Sequence, residues 1–469
     1  MANEELLEQE YFNQPIEFND QLLKDKYFTE AIEKIKAIVS IPSFSGSATK
    51  DAPYGGAVKE VLHYALNLAK SLGFKTYCDP ENKYGYVEYG QGAEIFAILG
   101  HLDVVPPGNL DEWKVPPFKP EIINNILYGR GVLDDKGPTI INLYCLKYLK
   151  DHNYQPKRRI RLIFGLTEET SWDSIKTYMA KEGTPTFGYT PDGLFPLTYA
   201  EKGIINIDIN GPGYDAVKIL GGNAYNVTCS TTTISDLTAE NLDKFYQIAL
   251  DKGYRIEKQD KEIIIHGKPA HGSKPNEGIN AGLRALLVLK ELGFDHPLIN
   301  FVADVLQEDT VLIEHFGQYD DESGGFTFNV GIIEINEQFS RLSCNIRFPV
   351  LTKQAVILNK LQTLLAPYHL TTAIEHYDKP LYMALDSPLV TKLMTIYKTV
   401  TQDQTAKPIA IGGGTYARSM PNCVAFGAIF DDSISTEHQY NEAISLKDLW
   451  QSMLIYVRAI SSLGNLDHI

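Results

Sequence analysis

Several features that would mark a secreted, membrane-bound or nucleic-acid-binding protein are missing. The five cysteines, Cys78, Cys145, Cys229, Cys344 and Cys423, lie far apart, are odd in number and form no Cys-x-x-Cys pair. That spacing excludes a zinc ribbon and argues against a disulfide framework. No stretch approaches the ~18 consecutive apolar residues of a membrane span. The first residues, Met1-Ala-Asn-Glu-Glu, are acidic where a secretory signal is basic, and no early apolar run follows them. No internal repeat or low-complexity tract stands out. Positive charge is scarce: 43 Lys and Arg stand against 59 Asp and Glu, a net charge of −16. Nucleic acid and an anionic membrane surface are therefore not expected partners. A reducing, cytoplasmic setting fits these absences together.

What remains is ordinary globular composition, 44% hydrophobic and 22% charged over 469 residues. That length exceeds what one hydrophobic core supports, so two domains are expected, with room for a third. Apolar residues recur at helical spacing over 28–39 and 58–72, with Gly73 placed as a C-cap. Short apolar runs at 95–99 and 160–166 read as buried strands. Between them Asp134-Asp135-Lys136-Gly137-Pro138 opens a helix, with Pro138 in its first turn. This alternation predicts an α/β layer architecture. After Pro191-Asp192-Gly193 the order changes. Strands are expected at 204–209 and 263–266, a helix at 281–292, and an antiparallel pair at 326–335 and 342–348. The helical pattern of the first part resumes over 388–397 and 449–460. The middle therefore reads as an α+β segment inserted into an α/β domain.

Charged and imidazole side chains fall at the ends of these strands. His101-Leu102-Asp103 follows the strand ending at Leu99, and alternation puts His101 and Asp103 on one side, so the carboxylate can orient the imidazole. Alone the tripeptide is weak; its place at a strand end in an α/β sheet strengthens it, because ligand sites gather there. In the glycine-rich segment 129–137, which holds Asp134 and Asp135, an Asp ahead of a helix serves either as a ligand or as its N-cap. On that segment alone the cap is the better reading. Glu168 and Glu169 are adjacent carboxylates at a strand end. At ~4 Å their repulsion costs about 1 kcal/mol in water and roughly 4 kcal/mol at an effective dielectric of 20. They either point outward into solvent or divide labour at a metal site, one as ligand and one as general base. Asp192 at a Pro-Asp-Gly turn and His438 beside Glu437 are bland singly, since Asp before Gly is ordinary turn chemistry.

In this order the residues resemble the M20-type dinuclear metallopeptidases, the family that includes carnosinase, glutamate carboxypeptidase and succinyl-diaminopimelate desuccinylase. The resemblance is nearest to the PepV branch of bacterial dipeptidases and covers about residues 30–460. It rests on the strings from Gly100 to Pro106, Gly131 to Pro138 and Ile411 to Arg418, together with the spaced Glu168-Glu169, Asp192 and His438. The implied fold is a catalytic domain with a mixed β-sheet flanked by helices, covering 1–200 and 382–469, with an inserted α+β lid of two subdomains over 201–381.

The resemblance also implies residue roles. Asp134 would bridge two divalent ions, His101 and Asp192 would complete the ligands of one, and Glu169 and His438 those of the other. Zn²⁺ is the expected metal, with Mn²⁺ or Co²⁺ as alternatives. Two dications balance the three ligand carboxylates and one bridging hydroxide, which leaves Glu168 free as general base and Asp103 as the partner of His101. Within the lid, His271 in Pro269-Ala270-His271-Gly272 would stabilise the oxyanion, with Asn226 as a second polar contact. Arg347 would grip the substrate's terminal carboxylate, with a bidentate geometry Lys does not reproduce, and Gly413 and Gly414 would add backbone N–H groups. The alternative for Arg347 is a structural ion pair on its strand. Thr170 departs from the third Glu of many relatives, beyond the two mechanistic positions.

The lid is longer than that of dimeric members, which favours a monomer that cleaves unblocked dipeptides. A deacylase or desuccinylase of N-acyl amino acids is the alternative, because the metal ligands do not discriminate between amides. A non-catalytic, metal-stabilised peptide-binding protein would need no base, and the placement of Glu168 beside Glu169 argues against it.

Overall fold

The computed structural model describes residues 16–433 and 435–466, so the acidic Met1-Ala-Asn-Glu-Glu segment lies outside the described residues. The chain divides into two compact units. The first comprises Met1–Tyr199, Met383–Ile409 and Gly414–Ile469; the second comprises Ala200–Tyr382 and Ala410–Gly413.

The first unit is built on a mixed sheet. Its strands β1 (Lys75–Cys78), β2 (Gly85–Tyr89), β3 (Ile95–His101), β4 (Arg159–Gly165) and β5 (Phe187–Thr190) are arranged in the order β1-β2-β4-β3-β5. Cys423–Ala425 then adds parallel to β5. β3 runs parallel to both β4 and β5, while β1, β2 and β4 pair antiparallel. β3 is buried almost from end to end, so its apolar run shows no alternation. The register aligns the strand ends: His101 lies opposite Gly165, and the Leu102 amide continues the ladder to the Gly165 carbonyl at 2.9 Å. The carboxyl ends of β3, β4 and β5 therefore deliver His101, Thr167-Glu168-Glu169 and Asp192 to one edge of the sheet.

The flanking helices follow the apolar spacing. α1 (Thr29–Val39) buries Ile32, Ile35, Ile38 and Val39. α2 (Gly56–Ser71) ends before Gly73, whose φ of +82° is the left-handed cap conformation. α3 (Lys136–Asp151) holds Pro138 in its first turn and is buried on nearly every side, as a helix packed directly over β3 must be. α1 is also preceded by helical turns from Asp20, because Asn19 Oδ1 accepts the Leu22 amide at 2.9 Å and Leu23 and Tyr27 are buried. That extension, which includes Leu22 and Leu23, lies ahead of the expected start at residue 28.

The second unit holds an eight-stranded antiparallel sheet. In chain order its strands are β6 (Gly203–Pro212), β7 (Lys218–Gly221), β8 (Thr231–Ser235), β9 (Arg255–Gln259), β10 (Glu262–His266), β11 (Thr327–Ile335), β12 (Phe339–Phe348) and β13 (Thr371–Asp378). Spatially they run β9-β10-β8-β7-β11-β12-β6-β13. The expected antiparallel pair is β11 with β12. Alternate residues Ile205, Ile207 and Ile209 of β6 enter a core that includes Leu286, Phe301, Leu342 and Ile346. α4 (Ala281–Glu291) begins at Asn280, whose Oδ1 accepts the Gly282 and Leu283 amides.

Close packing of β3 on α3 gives a test. A Cβ on Gly100 would collide with the Thr139 side chain. Gly100→Ala should lower stability by about 1–3 kcal/mol. Because the clash is specific, Gly100→Ala combined with Thr139→Ala should lose less than the sum of the single changes, measured as thermal midpoints. Strict additivity would show that the two sites do not meet.

Candidate metal centre

Asp134 lies between two imidazoles. Its Oδ1 is 2.9 Å from His101 Nε2, and its Oδ2 is 3.1 Å from His438 Nε2. On the His101 side, Asp192 Oδ2 stands 3.6 Å from Nε2; on the other, Glu169 Oε2 stands 2.9 Å from His438 Nε2. The ligand atoms of His101, Asp134 and Glu169 fall within 4.8 Å of one another, as do those of His101, Glu168 and Asp192. His438 holds a left-handed backbone, φ +60°, uncommon for a residue with a Cβ and frequent at functional positions.

The surroundings fix how these groups are presented. His101 Nδ1 donates to the Asp103 carbonyl at 3.0 Å, and a carbonyl only accepts. Nδ1 therefore carries a proton, and Nε2 is the ring atom presented to Asp134. That Nε2 is fully buried between the carboxylates of Asp134 and Asp192, whose hydrogen bonds and charge raise the imidazole's pKa against the cost of burial. The Asp103 carboxylate lies 3.5 Å from Nδ1, but its oxygens accept the amides of Glu168 at 3.2 Å and Glu169 at 3.1 Å. It thus braces the turn that carries both glutamates, a role that side-chain alternation did not reveal.

The N-cap reading of this segment is corrected. Asp135, not Asp134, occupies the N-cap of α3, and it makes no side-chain cap hydrogen bond. Its Oδ2 instead accepts the His101 amide at 3.1 Å and the Thr139 hydroxyl at 2.9 Å, which ties β3 to α3. Asp134 is left to face the imidazoles.

Charge is crowded here. Burial, then the charge of Asp192, raises the Glu168 carboxyl well above its ordinary range. Burial and Asp134 push Glu169 up to about 7, even though His438 opposes the shift. Burial and Asp134 raise Asp192 as well. Burial opposes ionisation of Asp134, yet the two imidazoles hold it below its usual value. His438 is pushed up to about 11 by its hydrogen bonds to Asp134 and Glu169. Four carboxylates around two imidazoles form a donor set short of positive charge, and hard or borderline dications fit it.

A separate cluster forms within the second unit. Arg347 on β12 is buried; its Nε donates to Asn345 Oδ1 at 3.0 Å and its Nη1 to the Gly412 carbonyl. The Gly272 amide donates to the Asn226 carbonyl at 2.7 Å, and Val227 bridges His271, so Asn226 and His271 are neighbours. His271 Nδ1 lies 2.7 Å from Ser273 Oγ. Burial first, then the charges of Arg347 and Lys274, lowers its pKa and leaves the imidazole neutral at pH 7. Gly413 belongs to this unit and Gly414 to the first, where a Cβ would press on the Arg418 guanidinium. Asn345, two positions before Arg347 on the same strand face, was missed by sequence reasoning although that spacing signals it.

An α/β sheet carrying an array of carboxylates and imidazoles at its carboxyl edge defines a metal-dependent hydrolase. Residues 97–462 match the family described as peptidase family M20/M25/M40, and the chain belongs to that family. A Staphylococcus epidermidis protein named "Putative dipeptidase" is 34% identical over 464 residues, covering 92% of this chain and 96% of its own. Among solved structures, human carnosine dipeptidase 1 is similar with a TM-score of 0.58 at 13% identity, over 96% of this chain and 100% of that one. Aminoacylhistidine dipeptidase from Vibrio alginolyticus is similar with a TM-score of 0.56 at 15% identity, over 92% and 96% respectively. At such identities these two structures speak to the fold.

The charge crowding predicts a pH signature. A folded-state pKa raised above the unfolded value contributes stability at low pH that is lost as pH rises through it. For Glu169, raised from 4.5 to about 7, and for His438, raised from 6.5 to about 11, the loss extends upward from about pH 4.5. With chelator present, the thermal midpoint should fall between pH 5 and 8. Saturating Zn²⁺ should abolish or reverse that slope, because ligands must be deprotonated to bind it. Parallel slopes with and without Zn²⁺ would contradict the assignment.

Proposed function

We infer that this peptidase hydrolyses unblocked dipeptides at a centre of two divalent ions. The reading is supported above all by one observation: the two oxygens of Asp134 face imidazoles from opposite ends of the chain. Asp134 would be shared between the ions, with His101 and Asp192 holding one and Glu169 and His438 the other. The mixed imidazole and carboxylate donors favour Zn²⁺, with Mn²⁺ or Co²⁺ able to use the same atoms. When bound, the ions would supply Lewis acidity, neutralising developing negative charge and making water acidic near pH 7.

The chain's own residues account for the rest. Glu168 is the general base: its carboxylate takes a proton from the attacking water and returns it to the leaving amine nitrogen. Burial and the neighbouring charge of Asp192 strengthen this carboxylate's hold on a proton. Asp103 keeps Glu168 and Glu169 in place through their amides. Neutral His271 is assigned as a donor to the oxyanion, with Asn226 beside it and the Gly413 and Gly414 amides as further donors. Arg347, pre-oriented by Asn345 and Gly412, is assigned to the substrate's terminal carboxylate. The second unit then acts as a lid that limits substrate length, and the enzyme works as a cytoplasmic monomer. The Staphylococcus epidermidis relative named as a putative dipeptidase favours this substrate over N-acyl amino acids.

Three measurements test the reading. Glu168→Ala should retain two metal ions per chain by elemental analysis and lower kcat by at least about 10²–10⁴. Surviving activity would remove Glu168 as the base. His271→Ala should lower kcat by about 10²–10³ with little loss of metal. In a substrate panel, a dipeptide should be cleaved while a pentapeptide and an N-acetylated dipeptide are not. Comparable turnover of the pentapeptide would overturn the length limit.

A further inference from the structure

Glu442 takes no part in the proposed chemistry, yet it is fully buried. One carboxylate oxygen, Oε1, accepts the amides of Gly131 at 2.9 Å, Leu133 at 3.0 Å and Asp134 at 3.2 Å. The other, Oε2, accepts Arg130 Nη1 at 2.7 Å. The Glu442 backbone carbonyl accepts the Gly129 amide at 3.0 Å. The turn from Gly129 to Asp134 is thus wrapped around a single carboxylate, an anion nest whose anion comes from the protein itself. Arg130 supplies the compensating charge and is held in turn over the Trp113 ring at 5.1 Å.

The position of this anchor in the chain gives it a consequence. The turn it holds ends at Asp134, and Glu442 lies four residues after His438. One side chain therefore ties the segment that presents Asp134 to the segment that presents His438, across a separation of 308 residues. Without it, binding ions would have to order the two segments themselves, and that cost would appear as weaker affinity.

We propose that Glu442 is a positioning residue of the metal centre: it fixes the Asp134 turn against the His438 segment, so that the shared carboxylate is in place before any ion binds. This rests on the reading of Asp134 and His438 as ligands. Partners that orient metal ligands contribute about 10–100-fold to metal affinity.

The test titrates Zn²⁺ into the metal-stripped full-length protein by calorimetry, for the wild type, Glu442→Gln and Glu442→Ala, with thermal unfolding measured alongside. Glu442→Ala should bind Zn²⁺ about 10–100-fold more weakly. Glu442→Gln keeps an acceptor but loses its charge, and should fall between. Over a dipeptide concentration series at fixed Zn²⁺, kcat should fall while KM holds. A role in folding alone would lower both midpoints and leave Zn²⁺ affinity unchanged, and that result overturns the proposal. Should Glu442→Ala not fold, amide exchange on the metal-free wild type decides: Gly131, Leu133 and Asp134 should be protected without Zn²⁺. Fast exchange there, slowed only by Zn²⁺, would overturn it. A wild type that takes up no Zn²⁺ removes the ligand assignment and the proposal together; equal uptake by all three proteins removes the proposal alone.

Discussion

The placement of the Asp134 carboxylate between His101 and His438 is the constraint on which the rest of the first unit depends. One oxygen faces each imidazole, so a single side chain sets the distance between the two halves of the site. Everything that fixes Asp134 also fixes the site. Glu442 holds its amide, Asp135 ties the start of α3 to β3, and the register of β3 on β4 sets His101 beside the glutamate turn. These contacts are buried and hydrogen-bonded, and such networks hold one arrangement where exposed ones hold several.

The same arrangement is electrostatically expensive. Four carboxylates gather where only two imidazoles offset them, and burial raises Glu168, Glu169 and Asp192 above their ordinary range. A fold chosen for stability alone would disperse them, since like charges in a low dielectric repel strongly. Their gathering beside the carboxyl ends of β4 and β5 and the turn before α3 points to function, because perturbed groups of this kind concentrate at active sites. The second unit follows a different logic. There Asn345 Oδ1 and the Gly412 carbonyl accept from Arg347 and hold its guanidinium in a fixed direction.

Much of the fold and the site was legible in the sequence, for identifiable reasons. β3, β4 and α3 announce themselves through apolar runs and a first-turn proline, so the strand-end positions of His101, Glu168 and Glu169 followed directly. The antiparallel pair β11 and β12 was visible because both are apolar runs long enough to be buried over several consecutive residues. The short strands β1, β5 and Cys423–Ala425 escaped notice, since their pairing is set by neighbours in space and not by their own pattern. The hydrogen bonds that Asp103 and Glu442 accept from backbone amides were invisible for a related reason: amides leave no mark in side-chain identity. Likewise Asp135 gives up the capping bond that its position favours, because the amide of a strand distant in sequence competes for it.

The central claim is that Asp134 is shared between two cation positions, one on the His101 side and one on the His438 side. Anomalous diffraction at the zinc edge, from crystals of the Zn²⁺-loaded protein, tests it directly. Two peaks are expected, each beside a different oxygen of Asp134. A single peak, or none in contact with Asp134, would contradict it.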